Sequence, residues 1–139
     1  MILEKVLEHA IATPNHVAIV DDKRTLTYRE LAYGASLFVD HLRTLAPREE
    51  FGDKVGLLIP PTGCFAVAFG GTRWDDRIAL PLNYLLKPEE LAGIIQDAGL
   101  RIIFTVEPLR TLADAAVAAG ARKEDRAGGG TGGGMGVKV

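Results

Sequence analysis

The three histidines are the first candidates for chemistry, because imidazole gains and loses a proton near neutral pH. They are His9, His16 and His41. We expect His9 and His41 on the polar faces of two helices and His16 in a turn. Their separations do not match the spacing of metal ligands. The histidines therefore predict neither a metal site nor a catalytic base.

The chain has one cysteine, Cys64, and so cannot form an internal disulfide or a cysteine-cluster metal site. A single thiol is typical of a reducing compartment, and we expect a cytoplasmic protein. Cys64 is predicted to be a small buried residue near the start of a helix. A helix N-terminus also favours the thiolate, which leaves a reactive thiol as the alternative.

Two adjacent carboxylates, Asp75 and Asp76, follow Trp74. If these carboxylates were buried without a charged partner they would destabilise the fold, because transfer of an ionised group out of water costs free energy. Without further oxygen donors they also make a poor site for a hard cation. We therefore predict a solvated turn in which they pair with Arg73 or Arg77, with metal ligation as the alternative.

A second acidic pair, Glu89 and Glu90, follows Pro88. Proline at the first position and acids in the first turn are typical of a helix start. The large aromatic residues Tyr33, Trp74 and Tyr84 could line a cleft, but packing in a core or at its rim is the favoured interpretation. We accordingly assign no catalytic, cofactor-binding or metal-binding residue.

Charge and composition exclude several classes of function. The chain has 139 residues, and 16 basic against 18 acidic side chains give a formal net charge of −2. A nucleic-acid binder or a polybasic membrane-surface protein would carry a large excess of cations. With 47% hydrophobic and 24% charged residues, the composition is that of an ordinary globular domain.

The longest uncharged run, Val55–Thr72, is close to membrane-spanning length. Prolines and glycines interrupt it, so it predicts a buried strand, a turn and a helix rather than a membrane span. The N-terminus carries Glu4, Lys5 and Glu8 and lacks the apolar core of a signal peptide.

Apolar periodicity predicts helices and strands along the chain. In order, the predicted elements are a helix that stops at Pro14, a strand Val17–Val20, a helix capped by Thr27 and Glu30 that ends by Pro47, a strand Val55–Ile59, a helix Thr62–Thr72, a strand Ile78–Leu82, a helix from Pro88 to Gly99, a strand Ile102–Val106 and a helix Leu109–Ala119 closed by Gly120. Strands and helices that alternate from Lys54 onward form two crossover units. The fold class is therefore α/β, with a partial doubly wound parallel sheet.

The C-terminal residues differ in composition from the rest of the chain. Residues 127–139 read AGGGTGGGMGVKV and offer almost nothing to bury. Because ordering such a segment costs entropy that burial does not offset, we expect it to be disordered. We place one domain at residues 1–120 and a glycine-rich tail at residues 121–139.

Six short motifs in order resemble the N-terminal part of the AMP-forming adenylating ligases, which include acyl-CoA synthetases, luciferases and the adenylation domains of peptide synthetases. The motifs are Pro14-Asn15-His16-Val17-Ala18, Leu26-Thr27-Tyr28-Arg29-Glu30-Leu31, Gly52-Asp53-Lys54-Val55, Leu80-Pro81-Leu82-Asn83, Pro88-Glu89-Glu90-Leu91 and Ile102-Ile103-Phe104-Thr105. The resemblance covers residues 2–106. From the residues themselves, these motifs cap helices, turn the chain and end strands.

The resemblance implies a reaction. In this family a carboxylic acid reacts with ATP to give an acyl-adenylate and pyrophosphate, and a thiol then takes the acyl group. The full-length family uses ATP, Mg²⁺ and CoA, but its phosphate loop and catalytic lysine lie downstream of the matched region. Gly129-Gly130-Thr131-Gly132-Gly133 faintly resembles that phosphate loop, but it lacks a serine, a threonine and the Pro-Lys-Gly that should follow. We therefore expect an N-terminal fragment that binds no cofactor and is not catalytic alone.

Two alternatives stay open. One is a non-enzymatic α/β interaction module or a subunit of a split ligase, whose partner is the remainder of the ligase or a second copy bound through exposed sheet surface. The other is an independent nucleotide binder with its ligand at the carboxyl ends of the strands. That hypothesis places the ligand at the turns after Ile59 and Leu82.

Overall fold

A computed structural model describes residues 2–127 and 137–139. Its helices are α1 (Ile2–Ala12), α2 (Tyr28–Leu45), α3 (Arg48–Phe51), α4 (Gly63–Trp74), α5 (Pro88–Ala98) and α6 (Arg110–Ala127), and its strands are β1 (Val17–Val20), β2 (Thr25–Thr27), β3 (Lys54–Leu58), β4 (Ile78–Pro81) and β5 (Ile103–Thr105). A short 3-10 turn, Glu107–Leu109, precedes α6. The chain divides into two compact units, Met1–Asp53 with Pro60–Ala79, and Lys54–Ile59 with Leu80–Val139.

In the first unit, a hairpin leads into the long helix α2. Strands β1 and β2 pair antiparallel, with Val17 opposite Thr27 and Val20 opposite Thr25. Strand β2 was not predicted, because its three residues run directly into the start of α2. The predicted capping box is confirmed: the Glu30 amide donates to Thr27 Oγ1 over 3.3 Å, and the Thr27 amide donates to Glu30 Oε2 over 2.8 Å.

Helices α2 and α4 pack closely within this unit because small residues line their crossing. A Cβ atom added to Gly71 would lie 2.8 Å from the backbone oxygen of Ala35. The prediction that the large apolar residues of α4 are buried is wrong in part. Ala68 is buried, but Phe65, Val67 and Phe69 are only half-buried, because the glycine face of α4 makes the close contact with α2.

The parallel sheet is formed mainly by residues of the second unit. Strands β3 and β5 pair in parallel, with Gly56 opposite Ile103 and Leu58 opposite Thr105. The three-stranded sheet has the order β4-β3-β5. Its buried core includes Leu58, Leu82, Leu91, Ile95, Leu100, Ile103, Ala113 and Ala116. The predicted α/β fold with a parallel sheet is therefore confirmed.

The ends of α5 follow the predicted signals. Pro88 occupies the first turn, and Gly99 ends the helix in the left-handed conformation at φ 66°. Helix α6, in contrast, does not end at Gly120 as predicted but continues to Ala127. The residues that follow include Ala121, Arg122, Lys123 and Glu124, whose high helix propensity favours continuation of the helix past one glycine. Gln96 Nε2 of α5 also donates to the Gly120 carbonyl over 3.2 Å.

The segment predicted to be disordered, residues 127–139, includes four described residues: Ala127, which ends α6, and Val137, Lys138 and Val139. Lys138 forms an isolated parallel bridge with Ile102, and Val137 and Val139 pack against the core of the second unit. Residues 128–136 lie outside the described residues, and so does the rest of that prediction. The boundary between a domain at 1–120 and a tail at 121–139 stays a prediction. In the described chain no helix is long and apolar enough to cross a membrane.

Candidate functional site

The N-terminus of α4 holds a carboxylate from the hairpin. Asp21 Oδ2 accepts from the Gly63 amide over 2.7 Å. Asp21 Oδ1 accepts from the amides of Lys23 and Arg24 over 2.8 and 2.9 Å. One side chain thus satisfies two turn amides and the first amide of a helix.

These hydrogen bonds favour the ionised carboxylate. The bond from the Gly63 amide, followed by those from Lys23 and Arg24, lowers the pKa of Asp21 below its ordinary value of 3.8. Helix N-termini often bind phosphate, and the turn after Ile59 was one predicted place for a nucleotide. The anion at this helix start is instead the protein's own Asp21. The sequence showed a polar turn here but gave no signal of its long-range bond to Gly63.

Polar side chains at the strand ends of the second unit also form hydrogen bonds with backbone groups of the protein. Asn83 Oδ1 accepts from the Leu85 amide over 2.9 Å, which closes the turn after Leu82. Thr105 Oγ1 donates to the Leu58 carbonyl over 2.8 Å. Glu90 accepts from the Lys87 amide over 2.8 Å and so begins α5, as predicted for this acidic pair.

Of the acidic pair at the end of α4, Asp76 is exposed, as predicted, whereas the Asp75 carboxylate belongs to a charge cluster. The side chain of Asp75 is only 9% exposed, and its Oδ2 lies 3.0 Å from Nε of Arg77, which is 2% exposed. Its Oδ1 accepts from Nε of Arg43 over 2.7 Å. The predicted pairing with Arg77 is confirmed, whereas the predicted solvation of Asp75 is wrong. The sequence could not indicate Arg43, which lies 32 residues away.

Arg77 also connects this cluster to the end of α2. Its Nη1 donates to the Ala46 carbonyl over 2.7 Å. Its Nε makes an ion pair with Asp75 but no hydrogen bond among the described residues, because the 3.0 Å approach lacks hydrogen-bond geometry. Asp76 takes a left-handed backbone conformation at φ 55°, and Arg48 Nη2 donates to the Asp75 carbonyl over 2.6 Å. The cluster holds the chain that leaves α4 against α2 and α3.

The histidines are exposed, as predicted, and lie on α1, in the following turn and on α2. His9 stacks on Tyr28, with ring centroids 4.9 Å apart. Among the described residues, no group of three or more His, Cys, Asp or Glu could hold a metal ion. The glycine-rich loop at 129–133 lies outside the described residues.

Cys64 is exposed, so the prediction of a buried cysteine is wrong. Its place near the start of a helix is as predicted, since it is the second residue of α4. The buried positions of α4 begin at Gly63 and continue at Ala68, which leaves the Cys64 side chain in solvent.

The predicted large aromatic residues have different surroundings. Tyr84 packs against the core of the second unit, in line with the favoured packing interpretation. Tyr33 is 65% exposed and Trp74 is 39% exposed.

An apolar cleft of about 480 Å³ lies between α1, α2 and α4 in the first unit. The residues that line it include Leu3, Val6, Leu31, Ala35, Phe65, Phe69 and Arg73. The aromatic rings of Phe65 and Phe69 stack with centroids 5.9 Å apart. The cleft was not predicted, although the apolar stripe of α1 and the two phenylalanines one turn apart on α4 are the sequence features that form it.

Comparison with known proteins identifies the family. The sequence profile described as "AMP-binding enzyme" matches residues 6–130. The chain belongs to this family. The resemblance inferred from the ordered motifs is therefore confirmed.

Relatives in the AMP-binding enzyme family are much longer than this chain. It is 32% identical over 105 residues to gramicidin S synthase 2 of Aneurinibacillus migulanus, a match that covers 76% of this chain and 2% of that protein. It is 30% identical over 98 residues to the fatty acid–[acyl-carrier-protein] ligase ScoC of Streptomyces coeruleorubidus, which covers 69% of this chain and 18% of ScoC. The chain therefore spans less than a fifth of the length of either relative.

A solved structure has the same fold. The anthranilate CoA ligase AuaEII, crystallised with anthranoyl-AMP, superposes with a TM-score of 0.74 at 25% identity. The superposition covers 81% of this chain and 22% of AuaEII. The predicted likeness to the N-terminal part of an adenylate-forming ligase is thus confirmed.

Proposed function

We propose that this chain acts as the N-terminal portion of an AMP-forming acid–thiol ligase and does not form acyl-adenylates alone. The observation that carries the proposal is the family match over residues 6–130, which spans elements of both units. In the reaction of the whole ligase, a carboxylic acid and ATP would give an acyl-adenylate and pyrophosphate, and a thiol would then accept the acyl group.

The polar groups at the helix and strand ends support a structural role. A phosphate placed at the start of α4 would lie against the Asp21 carboxylate, and like charges at that distance repel. At the strand ends, Asn83 and Thr105 use their side chains to bond the backbone. In this proposal these residues stabilise the fold of the N-terminal portion, to which the rest of the ligase would be joined.

The cofactors then belong to the whole ligase. ATP, Mg²⁺ and CoA would be held by segments outside the part of the chain that the structure describes. The proposed partner is accordingly the remainder of a ligase, joined in the same chain or supplied as a separate one.

The test is ATP–pyrophosphate exchange by the purified 139-residue chain. The assay would contain Mg²⁺, ATP, labelled pyrophosphate and, in turn, acetate, decanoate, benzoate, anthranilate and a set of amino acids. A full-length acyl-CoA synthetase provides the positive control. We expect exchange at the level of the buffer blank for every acid. Exchange that depends on one of the acids would overturn the proposal.

A further inference from the structure

A groove of about 410 Å³ lies between α5 and α6 in the second unit. Small side chains meet where the two helices pack: a Cβ atom added to Gly120 of α6 would lie 3.9 Å from the Ala92 Cβ of α5. Ala92 is buried and Ala119 half-buried, so these alanines form the deeper part of the groove. The other residues that line it are exposed and charged: Glu89, Arg122, Lys123 and Arg126.

The α6 side of the groove carries its cations on one face. Ala119, Arg122, Lys123 and Arg126 recur at the i, i+3, i+4, i+7 spacing that places side chains on the same face of a helix. The acids of the same turns, Glu124 and Asp125, do not fall on that spacing. The Glu124 carboxylate lies instead 3.5 Å from Gln96 Nε2 of α5. We call the three cations Arg122, Lys123 and Arg126 the basic stripe.

The basic stripe has no carboxylate partner in the described part of the chain. Elsewhere on the same helix, Arg110 forms an ion pair with Asp114 one turn later, over 3.8 Å. In the stripe, the residue one turn after Arg122 is Arg126, and like charges at that spacing repel. The negative end of the α6 dipole favours cations in the last turns, but it does not require that they share a face. The stripe is therefore a positive surface that lacks a counter-charge within the protein.

We propose that this groove binds an acidic helix of a partner protein. Carboxylates one turn apart on that helix would face the basic stripe, and small side chains beside them would lie over Ala92 and Ala119. A helix fits because its side chains repeat with the same spacing as the stripe, and complementary charge selects such a partner. Three cations on a chain of net charge −2 are too few for a nucleic acid, whose binding depends on many phosphate contacts. The proposal is independent of the proposed function, because it requires neither ATP nor the rest of a ligase.

The first measurement is fluorescence anisotropy of labelled peptides with the full chain at pH 7.5 and 50 mM NaCl. The probe is an 18-residue alanine-based helical peptide with glutamates at i, i+3, i+4 and i+7. One control has glutamines at those positions, and a second has the same composition with the glutamates spread around the helix. We expect the striped peptide to bind about tenfold or more tightly than either control, the range for several exposed ion pairs, and to weaken at 500 mM NaCl. Undetectable binding at millimolar concentration, or equal binding of the three peptides, would overturn the proposal.

Substitutions on α6 then test the stripe. Arg122→Gln combined with Arg126→Gln should weaken binding of the striped peptide about fivefold or more. Arg29→Gln combined with Arg110→Gln removes the same charge from exposed positions outside the groove and should leave binding unchanged. Circular dichroism checks that both variants fold. Equal loss of binding in the two double variants would show a response to net charge alone and would contradict the proposal.

Two further variants distinguish binding in the groove from a folding defect, because both predict a gain. Glu89→Gln removes the carboxylate that α5 contributes to the groove, and it should tighten binding of the striped peptide about two- to threefold. Arg122→Glu combined with Arg126→Glu should prefer a peptide with lysines in place of the four glutamates. If Glu89→Gln does not tighten binding, or if the reversed stripe still prefers the acidic peptide, the helix does not lie in this groove and the proposal fails.

Discussion

At the scale of single residues, Asp21 links parts of the first unit that are distant in sequence. Its two oxygens accept hydrogen bonds from three backbone amides, one of which is that of Gly63, 42 residues away. The carboxylate also lies at the positive end of the α4 dipole. Both effects require the ionised form, so the contribution of Asp21 to stability depends on pH.

We predict that Asp21→Asn lowers the thermal unfolding midpoint near neutral pH. An asparagine has one acceptor oxygen in place of two and carries no charge, so it cannot satisfy the three amides equally well. The folded-state pKa of Asp21 is lowered from 3.8. Its stabilisation is therefore present above pH 3.8 and is lost as the pH falls through the lower, folded-state pKa.

The check is a series of thermal melts of both proteins from pH 7 to pH 2. The difference in midpoint between wild type and Asp21→Asn should be constant near neutral pH and should shrink only in the acid range. Asp22→Asn, a neighbouring exposed carboxylate, is the control and should leave the midpoint nearly unchanged. A difference that grows toward low pH would contradict the assignment.

At the scale of elements, the helix-start signals in this sequence were reliable because they act within one turn. Thr27 and Glu30 bond to each other, and Pro88 and Glu90 define the first turn of α5. In contrast, Asp75 accepts from Arg43 of α2, and the Gly120 carbonyl of α6 accepts from Gln96 of α5. Such partners follow from tertiary packing, which a local pattern does not contain.

The crossing of α2 and α4 gives the sharpest prediction at this scale. An added Cβ at Gly71 would lie 2.8 Å from the Ala35 carbonyl oxygen, a backbone atom that cannot move aside. Gly71→Ala should therefore destabilise the protein by about 1–3 kcal/mol. At the adjacent Gly70 the added Cβ meets only the Ala35 Cβ at 3.5 Å, so Gly70→Ala should stabilise by up to about 1 kcal/mol.

Urea denaturation of the two variants and the wild type measures both effects. The two substitutions make the same chemical change at neighbouring positions of one helix, so each controls for the helix propensity of the other. Opposite signs are expected. Two stabilising changes would show that α2 and α4 do not approach as closely at Gly71 as described.

At the scale of the whole molecule, the parallel sheet of the second unit was predictable from continuous apolar runs, as at Val55–Ile59. The cleft of the first unit was not, because periodicity shows which face of α1 is apolar but not whether another helix covers it. Phe65 and Phe69 fit a core pattern equally well whether they are buried or line a cleft. The family assignment rested on the order of motifs along the chain, which is independent of both questions.

The proposed role as part of a ligase predicts the behaviour of a chimera. Residues of this chain would replace the matched region of ScoC, which is 98 residues long at 30% identity. If the region serves as scaffold, the chimera should adenylate the same fatty acids as ScoC in the same order of preference, at a reduced rate.

Pyrophosphate exchange with acids of increasing length measures that order of preference. A second chimera that carries Gly71→Ala should be less stable but should show the same preference. A chimera that fails to fold would contradict a scaffold role, because it would show that the region does not fit the rest of a ligase. A chimera that prefers a different acid would also contradict it, because the region would then select the substrate.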